Sequence, residues 1–496
     1  MGKIKIDRER TIGKVDRRIL GGFTEHLGRC IYGGIYEEGS ALSDEHSFRR
    51  DVLDAARALH MPLLRWPGGN FVSGYHWIDG IGPKDDRPRK TELVWLSEES
   101  NRFGTDEFIE YCRTLGTEPY ICVNMGTGTL DEAQGWVEYC NGTGNTYWAN
   151  LRRKNGHEEP YNVKYWGLGN ELYGRWQTGA LEPDDYVKKA REFAKVMKWT
   201  DPSLVLVSCG ENGWSNWDRI VIDGLASMVD YHSIHIYTGS DDYYSNVFSP
   251  HQAERAIRVT EGMIAMTRYN QEIDHPVSIA YDEWNIWFRA RDAKSALEER
   301  YTLSDALAVA TYLNIFVRNC NIVKIANLAQ LVNVIAPIFT SKEGLFLQTI
   351  YHPLRLFGEH LQEIALDVFV DGETYNLTSE KESSTWPHRV SDLGPFQMLD
   401  VSATRDESGQ TLVLAVVNRD QEKAQETTIQ FIDEVRVRTL AAYEVDGDRV
   451  DVVNSFEQPD AITVKEKHQE QQGSSFNYTF PAHSFTLLQL QIKETV

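Results

Sequence analysis

Short apolar runs, each closing on glycine or polar residues and followed by a helix-like stretch, recur along the first two thirds of the chain. They are "RILGGFTEHLG" from Arg18, "PLLRWPGG" from Pro62, "EPYICVNMG" from Glu118 and "YNVKYWGLGNE" from Tyr161. They continue as "SLVLVSCG" from Ser203, "VDYHSIHIY" from Val229, "PVSIAYDEWN" from Pro276 and "VKIANLAQL" from Val323. Between them the apolar period changes to that of a helix. In "SFRRDVLDAARALH", Val52, Leu53, Ala56 and Leu59 make one stripe. "GTDEFIEYCRTLG" opens on Thr105 as an expected cap and stops on Gly116. "PDDYVKKAREFAKVMKWTDP" and "LSDALAVATYLNIFVRN" are longer examples.

Strands alternating with helices predict a parallel sheet under helical cover. Eight such units between residues 18 and 360 predict a (β/α)8 TIM barrel, a fold that grows by loop insertion. A doubly wound open sheet is the competing topology, but it usually needs fewer strands. Beyond Leu361 the period becomes two, in "TLVLAVVNRD", "TTIQFID", "VRVRTLAAYEV" and "SFTLLQLQIK". Residues 361–496 are therefore expected to form a C-terminal all-β sandwich. "KIKID" near the start also reads as a strand, so residues 1–17 are expected to join that sandwich.

Composition narrows the partners. With 51 Lys and Arg against 73 Asp and Glu, the formal charge is −22. Such a field repels nucleic acid and anionic membrane and tolerates a neutral ligand such as a sugar. The six cysteines, at 30, 112, 122, 140, 209 and 320, show no CxxC pair or zinc spacing, so reduced and mostly buried thiols are expected. The N-terminal stretch has no apolar h-region and no run is long enough to span a membrane. The reading is cytoplasmic; the sequons at Asn141, Asn376 and Asn477 leave secretion open if a signal has been removed.

In a (β/α)8 barrel, chemistry gathers where the strands end. There stand Glu25 after the first strand, Asn70 after the second, Asn170 and Glu171 after the fourth, and His235 and Tyr237 on the sixth. Glu283 ends the seventh and Gln330 the eighth. Glu171 and Glu283 face each other across the mouth. Two carboxylates flanking a sugar cleave a glycosidic bond: one attacks the anomeric carbon and the other protonates the leaving oxygen. His235 and Tyr237 share a strand face, which puts Tyr237 in place to hold Glu283 ionised. Asn170 suits a 2-hydroxyl, Glu25, Asn70 and Gln330 suit others, and His235 is a further candidate for a sugar contact. Trp66, Trp95, Trp284 and Trp287 are candidates to stack on a sugar or wall the site. Taken alone, either glutamate is better read as a helix-start acid or an ion-pair partner. His232 and His235 are more often core residues than metal ligands, and no metal site is expected. "GLGNE" is no dinucleotide fingerprint, since Leu172 stands at the third glycine position, and there is neither a P-loop nor an HExxH.

Most of these residues lie in stretches that resemble α-L-arabinofuranosidases of glycoside hydrolase family 51. The matching stretches are "GGFTEHLGRCIYGGIYEEGS", "LLRWPGGNFVSGYHWIDGIGPKDDRP", "ESNRFGTDEFIEYC", "NMGTGTLDEAQGWVEYCN", "NGHEEPYNVKYWGLGNELYGRWQTG", "YDEWNIWF" and "ANLAQLVNVIAPI". The resemblance implies a barrel with a C-terminal β-sandwich. It implies a retaining, exo-acting enzyme releasing terminal arabinofuranosyl units from arabinan, arabinoxylan or related glycans. By position it makes Glu171 the acid/base and Glu283 the nucleophile. It places Glu25, Asn70, Asn170, Tyr237 and Gln330 around the sugar ring, with Trp95 and Trp287 as aromatics near the site. It implies no cofactor and a homo-oligomer, often a hexamer. The fit is loosest in "TGSDDYYSNVFSPHQAE" after Tyr237. The alternatives are a retaining β-glucanase or xylosidase on the same scaffold, and a non-catalytic carbohydrate-binding protein.

Overall fold

The computed structural model describes residues 2–290, 297–378, 390–433 and 435–494. Eight parallel strands close into a barrel in chain order. We label them β1 (Gly21–Phe23), β2 (Leu63–Trp66), β3 (Glu118–Cys122), β4 (Tyr165–Leu168), β5 (Val205–Ser208), β6 (Tyr231–Thr238), β7 (Ser278–Ile286) and β8 (Val323–Ala329). The (β/α)8 expectation therefore holds. The lower half of the barrel interior is an apolar plug of Leu63, Tyr120, Tyr165, Val207, Ala280 and Ile325. Two residues further along β2 the inward position is Arg65, buried. The interior thus changes from packing to chemistry along each strand, towards the C-terminal mouth.

Helices cover the outside. The helix Thr105–Leu115 ends on Gly116 at φ 76°, a left-handed cap that suits glycine. Its start differs from the expectation. The N-cap is Gly104, not Thr105, and Glu107 reaches back to the Gly104 amide. The Thr105 hydroxyl instead accepts the indole N–H of Trp136 at 3.0 Å. The helix Leu303–Arg318 is buried all round except at its last residue. It is mostly apolar all round because it packs between β7 and the larger C-terminal sheet. Its buried polar groups facing that sheet are satisfied: Asn314 and Arg318 both donate to Asp400.

The remainder is two sheets. One holds seven strands, from Thr11–Lys14 at one edge to Val464–Gly473 at the other. The second holds four, with Gly2–Ile6 between Phe369–Asp371 and Gln425–Phe431. Ile4, Ile429 and Phe480 of the smaller sheet share a core with Val401, Leu414 and Leu490 of the larger, which makes the pair a sandwich. All six cysteines are free and buried. Among the described residues, no helix is long and apolar enough to cross a membrane.

Candidate active site

The fourth strand stops at Leu168, and the chain turns at once. Gly169 takes φ 79° and Glu171 φ 45°. A left-handed glutamate is strained by about 1–3 kcal/mol, and such strain persists where surrounding structure fixes it. Here the fixing comes from His235, whose Nδ1 lies 3.0 Å from Glu171 Oε1. The side chain is thereby held against β6. Burial opposes ionisation of Glu171, but His235, Tyr173 and Trp176 hold its carboxyl below the usual range.

Glu283 reaches the same point through an irregular strand. Ser233 pairs with Ala280 and His235 with Glu283, so Tyr281 and Asp282 together face only Ile234. A bulge of this kind resets the alternation of a strand. Asp282 and Glu283 consequently both point inward, while Tyr281 and Trp284 pack outward against Phe316. Glu283 accepts from Tyr237 Oη at 2.7 Å and from Arg65 Nη1 at 2.6 Å. These two donors fix its orientation and offset its charge. The Arg65 guanidinium also donates to Asn170 Oδ1 at 2.7 Å and rests over the Phe23 ring. Asn170 in turn lies 3.4 Å from Asn70, through its Nδ2 and the Asn70 Oδ1. Removing Arg65 would strand two buried carboxylates, the costly way to break such a pair.

Asp282 sits behind this pair. It accepts from Tyr120 Oη at 2.8 Å and from the Ser233 hydroxyl, and it lies 3.1 Å from His235 Nε2. Burial opposes its charge, but Arg65 and His235 hold its carboxyl well below the usual range. For His235, burial disfavours the imidazolium, yet the carboxylates of Glu283, Asp282 and Glu171 outweigh it and push its pKa up to about 10.

Glu25 completes the β1 side. Its Oε1 accepts from the Phe71 amide at 3.0 Å and from the Trp95 indole at 3.2 Å, and its Oε2 from Gln330 Nε2 at 3.0 Å. Burial pushes its carboxyl up to about 8, with the charge of Glu283 adding to the effect. The glycines of "PGGN" are explained by this carboxyl. A Cβ on Gly68 would come 2.6 Å from Glu25 Cγ, and one on Gly69 2.5 Å from its Oε2. Trp95 itself rides on a hairpin, Lys90–Glu92 with Ser97–Glu99, whose turn is tied down by Glu92 accepting from the Val94 and Trp95 amides. Trp287 stands edge-on to Tyr237, ring centres 5.3 Å apart.

The expected residues Glu25, Asn70, Trp95, Asn170, Glu171, His235, Tyr237, Glu283, Trp287 and Gln330 therefore come to one mouth. Two of the aromatic candidates do not. Trp66 is 0 % exposed and Trp284 1 %, because both point out of the barrel into its helical cover. Trp66 stacks on Phe108, and Trp284 packs beside Tyr312. His235 also differs from the expected sugar contact, since carboxylates take both of its ring nitrogens. Arg65 and Asp282 were not anticipated. A charged residue inside the apolar "LLRW" was the available signal for Arg65. Nothing in the sequence marks the bulge that lets Asp282 and Glu283 both face inward.

Glu171, His235 and Glu283 each offer one ligand-type atom, all within 4.8 Å of one another. The residue types would suit a metal, but Arg65 already places a cation 2.6 Å from Glu283 and Tyr237 holds its other oxygen. The arrangement serves two carboxylates closely spaced across a cleft. On an eight-stranded parallel barrel, that defines a glycoside hydrolase.

Known proteins narrow the class. A family model described as the α-L-arabinofuranosidase 1 domain matches residues 55–255, and one described as the α-L-arabinofuranosidase C-terminal domain matches residues 282–484. The chain is 48 % identical to a probable α-L-arabinofuranosidase C of Aspergillus flavus, covering 98 % of this chain and 96 % of that protein. It is 37 % identical to an intracellular exo-α-(1→5)-L-arabinofuranosidase of Halalkalibacterium halodurans, over 84 % of each. The crystal structure of the Thermotoga maritima α-L-arabinofuranosidase in an arabinose complex superimposes with a TM-score of 0.93 at 43 % identity, over 99 % of this chain and 100 % of that one. The family 51 enzyme of Thermotoga petrophila superimposes with a TM-score of 0.92, also at 43 % identity and over the same shares of the two chains. The chain belongs to the α-L-arabinofuranosidases of glycoside hydrolase family 51.

Proposed function

We propose that the chain is a retaining, exo-acting α-L-arabinofuranosidase that releases terminal arabinofuranosyl units from arabinan, arabinoxylan or related glycans. The observation that carries the mechanism is the spacing of its two carboxylates, with oxygens of Glu171 and Glu283 within 4.8 Å. Retaining enzymes hold the pair about 5–5.5 Å apart, whereas inverting ones leave roughly 6.5–9.5 Å for a water. Glu283 attacks the anomeric carbon, steered by Tyr237 and Arg65. Glu171 protonates the departing oxygen, then takes a proton from the water that hydrolyses the glycosyl ester.

Glu25, Gln330, Asn70 and Asn170 ring the sugar with donors and acceptors. Asn170, fixed by Arg65, suits the 2-hydroxyl, a contact that strengthens as the ring flattens towards the oxocarbenium ion. Trp95 closes the β1 side and Trp287 the β7 side. Of the two carboxylates Glu171 is the more exposed, 14 % of its side chain against 6 % for Glu283, so the rest of the glycan leaves past Glu171. We take residues 18–360 as the catalytic unit, with 361–496 and the N-terminal 1–17 as the sandwich. The same reading makes the protein a cytoplasmic homo-oligomer, in keeping with an intracellular relative. A hexamer, common in the family, is one assembly this reading allows.

A panel of nitrophenyl glycosides tests the sugar. The α-L-arabinofuranoside should turn over with a kcat/KM at least ~100-fold above the β-xyloside and β-glucoside, since hydroxyls misplaced among buried polar groups are strongly rejected. Turnover of the xyloside or glucoside without the arabinofuranoside would overturn the assignment.

A further inference from the structure

His235 is bound on every side by acids. Its Nδ1 lies 3.0 Å from Glu171 Oε1 and 3.6 Å from Glu283 Oε1, and its Nε2 lies 3.1 Å from Asp282 Oδ1. An ionised carboxylate can only accept a hydrogen bond, and a neutral imidazole donates from one nitrogen only. Both contacts are hydrogen bonds only if the cluster holds one proton more than a neutral imidazole among ionised carboxylates.

The other groups say where that proton is not. Asp282 already accepts from Tyr120 and Ser233 and has Arg65 beside it, 3.5 Å from Nε to Oδ2. Glu283 accepts from Arg65 and Tyr237. The extra proton therefore belongs to His235 and Glu171 jointly. The charged groups around the pair agree. Burial disfavours the imidazolium, but the three acids push His235 up to about 10 and it keeps the proton, while Glu171 is held ionised. Glu211 adds a further acid on the β5 side, its backbone carbonyl accepting from the His235 amide at 2.8 Å. Tyr173 lies beside Glu171, and burial leaves its hydroxyl far above its ordinary range, so it donates rather than ionises.

A general acid held ionised has no proton to give. Resting on the reading of Glu171 as acid/base, we propose that the proton for the leaving oxygen is stored on His235 in the empty site and passes to Glu171 along their hydrogen bond when substrate binds. A glycan seated beside Glu171 excludes water, and in a drier site the neutral acid–imidazole pair gains on the ion pair. In the transfer, the Nδ1–H bond breaks and an O–H bond forms on Glu171. The terminal carboxyl torsion is broad, so the group can turn its O–H towards the glycosidic oxygen. That O–H then breaks as the leaving hydroxyl forms, the glycosidic bond cleaves and Glu283 forms the ester. In the second half Glu171 takes the proton of the attacking water, the ester C–O bond breaks to free Glu283, and the proton returns to His235. His235 is a positioning residue that stores charge; it never touches the sugar.

The test compares His235→Gln with Glu171→Ala across aryl arabinofuranosides of graded leaving-group acidity, with pH profiles of kcat/KM. His235→Gln should lose about 10²-fold more activity on poor leaving groups than on dinitrophenyl, within the range general acids supply. Its alkaline limb on poor leaving groups should move to lower pH, because Glu171 alone must then keep the proton. An equal loss on every leaving group with an unmoved limb would overturn the store while leaving the acid/base intact, provided Glu171→Ala remains leaving-group dependent. If Glu171→Ala shows no such dependence, the underlying assignment fails and takes the store with it. Should His235→Gln not fold, nitrogen NMR of labelled histidines in the wild-type enzyme decides. One imidazolium should persist at pH 8 in the free enzyme and become neutral on binding an unreactive thioarabinofuranoside. A neutral ring at every histidine at pH 8 in the free enzyme would contradict the proposal.

Discussion

Glu283→Ala should lower kcat on nitrophenyl α-L-arabinofuranoside by about 10⁶-fold, the scale on which losing a covalent nucleophile acts. The expectation follows from its surroundings. Tyr237 and Arg65 orient its two oxygens, and the bulge in β7 aims it at the cleft. No neighbouring carboxylate can replace it. Asp282 is turned to Tyr120 and Ser233 behind the pair, and Glu25 is held against Gly68 and Gly69. Azide added to the variant should attack the face that Glu283 vacates and give the inverted glycosyl azide, not restore the natural anomer. Steady-state kinetics with analysis of the azide product checks this; the thermal melting curve confirms that the variant is folded.

Glu171→Ala should cost about 10²–10⁴-fold on substrates with poor leaving groups, the usual contribution of a general acid. With dinitrophenyl as leaving group, bond cleavage needs no proton and the first step should be nearly spared. Hydrolysis of the ester should still be slow, because Glu171 also activates the water. A burst of dinitrophenol followed by a slow steady state is the expected trace. Azide should then speed turnover and yield the azide of retained configuration, since it enters from the face of Glu171. A uniform loss across all leaving groups, without burst or azide effect, would mean that Glu171 is not the proton donor.

The residues of this site differ in how legible they were. The barrel was readable because eight apolar runs alternate with 3.6-period stretches, and Glu171 and Glu283 stood at the ends of two of them. The sandwich was readable from its period of two. The partners were harder. Arg65 is an inward charge within an apolar strand, meaningful only once the opposite carboxylates are placed beside it. Asp282 follows Ala280 inward by plain alternation, but strict alternation would have put it and Glu283 on opposite faces, and only the bulge lets both face the site. Trp66 and Trp284 failed in the other direction. An aromatic next to a site motif looks like a platform, but strand geometry sends these two into the helical layer. His235 was placed at the mouth, yet which neighbours take its nitrogens depends on three elements far apart in sequence.

Configuration of the first product bears most directly on whether two closely spaced carboxylates act in turn on one furanoside. Proton NMR of a fast reaction, followed before mutarotation, should show α-arabinofuranose appearing first. Initial appearance of the β-anomer would mean a single displacement by water and would contradict the double-displacement account.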